Sequence, residues 1–119
     1  RAKSEGEIMD LNRYEQNGYT IISMAGNIVG GPDSTAVHNL INQLIDENKL
    51  NVIIDLAGVE LMNSSGLGIL IQTNALLKNE GGHLKLVNVT EKVKSLFIIT
   101  KLNTVFKTFA NLEEALKNS

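Results

Sequence analysis

Two adjacent hydroxyls, Ser64 and Ser65, stand between Asn63 and the step Gly66-Leu67-Gly68. A β-branched run, Val52-Ile53-Ile54, precedes them and a helix-like run, Leu67 to Lys78, follows. The serines therefore fall where a strand-connected loop turns into a helix. Ser, Asn and Gly suit such a start because the first turn of a helix leaves backbone N–H groups without intrahelical partners. The same N–H groups favour an anion, including a phosphate carried on a serine. Two chemistries fit: plain helix capping by Ser64, and phosphorylation of a hydroxyl.

Other chemistry finds little support. The Gly-x-Ser-x-Gly of a nucleophile elbow is missing. The two histidines, His38 and His83, are expected on the solvent face of one helix and at the start of a strand, far from the serines. A Ser-His-acid triad needs all three groups to converge. Two distant histidines and scattered carboxylates lack metal-ligand spacing, and Gly66-x-Gly68 without a Gly-Lys-Ser/Thr does not complete a phosphate loop. No metal or cofactor is expected, and the residues favour a module that is recognised over one that catalyses.

Composition sets the outer bounds. The 119 residues suit one domain over 1–119, with 43% hydrophobic and 20% charged residues. A net charge of −2 offers no basic field for nucleic acid or an acidic membrane, and the few Phe and Tyr are not interleaved with Lys or Arg. No apolar run approaches the roughly 20 residues that span a bilayer. The absence of cysteine fits a reducing cytoplasm.

The elements that must position the serines can be read in order. Glu7 to Tyr14 forms a first strand, Asn17-Gly18 suits a type I′ hairpin turn, and Tyr19 to Met24 returns antiparallel. After Gly26, Gly30, Gly31 and Pro32, a cap at Asp33 or Ser34 opens a helix whose apolar face is Val37, Leu40, Ile41, Leu44 and Ile45. Asn51 to Leu56 shows no alternation, as expected of a central strand covered on both faces. A second helix follows the serines, with Leu67, Leu70, Ile71 and Leu77 inward, and ends at Gly81-Gly82. Leu84 to Val89 is a strand, Thr90 caps a third helix with Val93, Leu96 and Phe97 inward, and Thr104 to Phe106 is a short strand. Asn111 and Glu114 resemble a capping box for a final helix. The order β-β-α-β-α-β-α-β-α predicts an α/β fold with a mostly parallel sheet and right-handed crossovers.

Asn51 to Leu56, followed by Leu61-Met62-Asn63-Ser64-Ser65-Gly66-Leu67-Gly68, resembles the STAS domain of anti-sigma factor antagonists. The loop of that family typically reads Asp-Ser-Ser/Thr-Gly-Leu/Ile-Gly, and the serine directly after the Asp is phosphorylated. Gly26, Gly81-Gly82, Val93, Leu96-Phe97 and Leu102 extend the likeness over essentially the whole chain. The resemblance implies a protein-interaction switch. The unphosphorylated form binds a serine-kinase anti-sigma factor, phosphorylation by that kinase releases it, and a PP2C-type phosphatase resets it.

On this reading Ser64 is the phosphoacceptor and Ser65 is supportive. The partner surface comprises Asn63, Ser65, Gly66, Leu67 and Gly68 with the loop Asn27, Ile28, Val29, Gly30 and Gly31, and an outward Ile98 adds an apolar contact. Gly66 and Gly68 admit the close approach of another backbone, from within the protein or from a partner. Three positions depart from the family pattern. Asn63 replaces the usual Asp, Asn27-Ile28-Val29 replaces a common Glu-Leu-Asp, and Lys101 replaces a frequent Gly after the third helix. The first two make the surface around Ser64 less negative than is typical. Rival readings are a STAS module that senses a small ligand or nucleotide, a STAS subunit with another signalling output, and a structural scaffold.

Overall fold

In chain order the elements are β1 (Met9–Gln16), β2 (Tyr19–Ile28), α1 (Pro32–Asp46), β3 (Asn51–Met62), α2 (Ser64–Asn79), β4 (His83–Val87), α3 (Glu91–Ile99), β5 (Lys107–Phe109) and α4 (Leu112–Lys117). This computed structural model describes residues 9–117, and the order is the one expected. Glu7 and Ile8 of the expected first strand lie outside the described residues. Asn17 and Gly18 join β1 to β2 with φ angles of 54° and 82°, the paired positive values of a type I′ turn.

The five strands lie in sequence order, β1-β2-β3-β4-β5, with β1 antiparallel to β2 and every later pair parallel. Each parallel step moves to the next strand in the same direction. Right-handed crossovers then put α1, α2 and α3 on one face. There Ile22, Ile54 and Leu56 pack with Ile41, Leu44, Leu70, Leu77 and Phe97. On the other face α4 covers Ile21, Ile53 and Val87 through Ala115. Successive residues of β3 point to opposite faces, and because both are covered, Val52, Ile53 and Ile54 are all fully buried. The missing alternation in the sequence has this cause.

Under α4 lies a buried cation. Lys85 Nζ donates to Tyr19 Oη at 2.9 Å and to the Ala115 carbonyl at 2.7 Å, and it stands over the Tyr19 and Phe109 rings. Hydrogen bonds and ring faces compensate its loss of water, and the bond to Ala115 ties the last helix to β4. At the far corner Arg13, Glu15, Glu47 and Lys49 join β1 to the end of α1. There a hydrogen bond from Lys49 holds the Glu15 carboxyl below its ordinary range, and one from Arg13 does the same for Glu47.

Four expectations are corrected. Neither Asp33 nor Ser34 caps α1: Gly31 is the N-cap, without a side-chain cap bond, and Pro32 occupies the first turn, where its missing N–H costs nothing. β3 does not stop at Leu56 but runs to Met62, through two register shifts against β2. Ile71 does not face the core: it is exposed, and Leu67, Leu70, Thr73, Asn74 and Leu77 form the buried stripe. The short strand is Lys107–Phe109 and not Thr104 to Phe106, because Phe106 stacks on Phe97 at 5.3 Å in the core while a turn bond from Val105 N–H to Leu102 O holds the preceding residues.

Candidate functional site

One residue separates β3 from α2. Asn63 is extended, with φ −106° and ψ −175°, and its Oδ1 accepts the Gly66 N–H at 2.8 Å. Its carbonyl accepts the Leu67 N–H at 2.9 Å. Asn63 is therefore the cap, and Ser64 is the first residue of the helix. Capping by Ser64 is overturned. Both Ser64 and Ser65 are exposed, so the hydroxyl of Ser64 is not engaged in starting the helix.

The glycines show how the site is held. A Cβ on Gly66 would stand 2.0 Å from the Ile28 carbonyl oxygen, a separation no carbon can occupy. Close backbone approach at Gly66 is thus internal. Gly30, with φ 92°, lies so near α2 that a Cβ there would come within 2.9 Å of the Ser65 Cβ. The Asn63 N–H also reaches toward the Ile28 carbonyl at 3.4 Å. Residues 28–30 and 63–66 form one packed unit at the carboxyl edge of the parallel strands. Gly68 differs, since nothing lies within 4 Å of a Cβ placed there.

Burial divides the expected partner surface in two. Asn27, Gly31, Asn63 and Ser65 are exposed, and Val29 and Gly68 are partly so. Ile28 and Leu67, by contrast, belong to the core, with at most 2% of either exposed, and Gly30 and Gly66 are buried. These four cannot offer side chains to a partner; they are the floor on which the others stand. Ile98 is 58% exposed, but it borders a concavity with Val89, Lys94, Phe97, Asn103 and Thr108, apart from both segments around Ser64.

Three contributors were missed. Leu61 pairs with Asn27 in the sheet register and is exposed; a strand expected to end at Leu56 hid its place beside that loop. Ile71 lies seven residues after Ser64 and three after Gly68, which puts all three on one helix face. Asp55 works from below. Its Oδ1 accepts the Ala57 N–H at 3.0 Å and Asn88 Nδ2 at 3.0 Å, fixing β3 at its first irregularity and tying it to the end of β4.

Neither imidazole joins Ser64. His83 opens β4 at the opposite edge of the sheet, and His38 borders a groove with Gln72 and Asn79, two turns or more along α2. Among the described residues no group of three or more His, Cys, Asp or Glu is placed to hold a metal ion. No described helix is long and apolar enough to cross a membrane.

Comparison with known proteins agrees with this geometry. An anti-sigma-B factor antagonist of Bacillus subtilis is 35% identical over 89 residues, covering 73% of this chain and 82% of that protein. An anti-sigma factor antagonist from Mycobacterium paratuberculosis has the same fold, with a TM-score of 0.79 at 24% identity over 97% of each chain. The Bacillus cell fate determinant SpoIIAA, solved in its phosphorylated form, superposes with a TM-score of 0.70 at 18% identity, covering 91% of this chain and 97% of that one. The STAS domain pattern matches residues 10–115, almost the whole of the sheet and its helical cover, and on that match the protein belongs to the STAS domain family.

Proposed function

We propose that the protein is an anti-sigma factor antagonist whose partner binding is switched by phosphorylation of Ser64. The observation that carries this reading is the division of labour at the start of α2. Asn63 satisfies the helix, leaving the Ser64 hydroxyl exposed and unengaged. The Bacillus subtilis relative is named for the same activity, and a protein of the same fold is known in a phosphorylated form.

The unphosphorylated protein binds a serine-kinase anti-sigma factor through Asn27, Val29, Gly31, Asn63, Ser65 and Gly68, with Leu61 and Ile71 as apolar contacts. The Ser64 oxygen attacks the γ-phosphorus of kinase-bound ATP, the bond to the β-phosphate oxygen breaks, ADP leaves, and the hydroxyl proton passes to a base of the kinase. The product carries about −1.5 to −2 charge. The positive end of α2 favours that charge by about 0.3–1 kcal/mol, so the fold has no reason to change. A partner packed against the same surface meets charge it must desolvate, at a cost of several kcal/mol. Release follows from that difference. A PP2C-type phosphatase hydrolyses the phosphoserine and restores binding, all within the cytoplasm.

Affinity capture from native cytosol with the wild type, Ser64→Ala and Ser64→Asp tests the switch. A serine kinase recovered by the first two and weakened about a hundredfold or more with the third is expected, the equivalent of roughly 2.7 kcal/mol. Equal recovery by all three contradicts the proposal.

A further inference from the structure

At the other end of α2 the structure holds a concavity of about 430 Å³. It lies at the amino edge of the parallel strands, where β4 begins with His83 and β5 with Lys107. Lys78, fourteen residues after Ser64 and so about 21 Å along the helix, completes a basic lining with those two. Its remaining polar walls are Asn74 and Thr104, and no acidic residue among the described ones borders it. Neither lysine nor His83 forms an ion pair with a described residue.

Asn74 adds a polar group to this lining. Only 9% of it is exposed, it lines the concavity, and its side-chain amide makes no hydrogen bond with a described residue. The amide atoms of Asn74 are reached by solvent, so a ligand in the concavity can take the place of water on them. Lysine ammonium groups attract an anion, and the amide can donate to an oxygen of the same group. The carboxyl end of α2 opposes this with about half a negative charge, a smaller quantity than two formal ammonium charges. A volume in the ordinary range of small-molecule sites, with Leu84 and Val105 as apolar walls, exceeds what a free ion needs.

We propose that this concavity binds a small organic phosphomonoester, with Lys78 and Lys107 holding the phosphate, Asn74 donating to it, and Leu84 and Val105 covering its apolar body. The site stands at the opposite edge of the sheet from the partner surface and does not depend on Ser64.

The test is amide chemical-shift titration of the full chain with AMP, phenyl phosphate and glucose 6-phosphate, each beside its unphosphorylated parent, and with inorganic phosphate. Saturable shifts confined to Asn74, Lys78, His83 and 104–107 are expected with at least one phosphomonoester. Its parent and inorganic phosphate should bind at least tenfold more weakly. Lys78→Gln with Lys107→Gln should weaken binding tenfold or more, since each removes a charge-assisted contact, while Lys92→Gln with Lys101→Gln, equal in charge, and Ser64→Ala leave it unchanged. Absence of shifts there with all three compounds at about 10 mM, a concentration that fills even a millimolar site, overturns the proposal. So does equal binding by the Lys78/Lys107 double variant, or equal binding of parent and phosphomonoester.

Discussion

At the amino end of α2 two exposed hydroxyls rest on glycines packed against backbone, and the cap is a neutral amide. At the carboxyl end of the same helix, Lys78 and a buried Asn74 border a hollow with His83 and Lys107. The first end has its Gly66 and Leu67 N–H groups satisfied by Asn63 and offers a surface. The second leaves a solvent-reached amide and cations facing a space. One helix of 16 residues thus carries the proposed place for a protein at one end and the proposed place for a small molecule at the other. The difference arises from what each end packs against. Strand β3 delivers the chain directly into the first, whereas two strand starts and the turn before β5 surround the second.

The largest test breaks the amino end at its base. Gly66→Ala forces a carbon against the Ile28 carbonyl and should destabilise by about 3 kcal/mol or more in denaturant unfolding, because backbone and not a flexible side chain must move. Gly68→Ala, with open space around it, should be neutral or stabilising by up to about 1 kcal/mol through helix propensity alone. Equal losses at the two glycines would show that the close approach of 28–30 does not hold the site.

Asn63→Ala comes next, at about 1 kcal/mol, the usual value of an N-cap side chain. Asn63→Asp should keep that stability, since a carboxylate accepts the same Gly66 N–H and suits the helix dipole. Partner affinity or phosphorylation rate should instead change, because the carboxylate would stand beside Ser64. If neither moves, the lack of acid at this position has no bearing on partner choice.

At the end of α3, Lys101 has a φ of 61°, and its N–H bonds to the Ile98 carbonyl while Leu102 N–H reaches Phe97 O at 2.7 Å. This is the geometry in which glycine commonly follows a helix. Lys101→Gly should therefore raise thermal stability slightly, by about 0.5–1 kcal/mol. Smallest of all is the Lys78→Gln/Lys107→Gln pair, expected within about 0.5 kcal/mol of wild type in the absence of ligand. A marked stability change in that pair would mean the lysines serve the fold and not the hollow.

Much of the fold was legible before any coordinates. The Asn17-Gly18 turn, the 3-4-3-4 face of α1, the unbroken apolar run at Val52 to Ile54 and the Thr90 cap, whose Oγ1 accepts the Val93 N–H, all rest on neighbours close in the chain. Local propensity and periodicity report such neighbours directly. The errors have another origin. Thr73 and Asn74 are not among the inward residues expected of α2, yet both are buried, and the Thr73 hydroxyl is satisfied there by donating to the Ile69 carbonyl at 2.8 Å. Ile71 reads as core and is exposed, because α2 turns that face away from the sheet.

The sequence by itself determined that a serine pair sits at a helix start and that strands and helices alternate around it, since both follow from contacts within a few residues. Tertiary structure alone decided which residue caps that helix, which glycine is closed by Ile28 and which is open, and that Lys78, His83 and Lys107 share one hollow. Those outcomes depend on register between strands and on backbone segments far apart in the chain, and no local spacing encodes a distance between them.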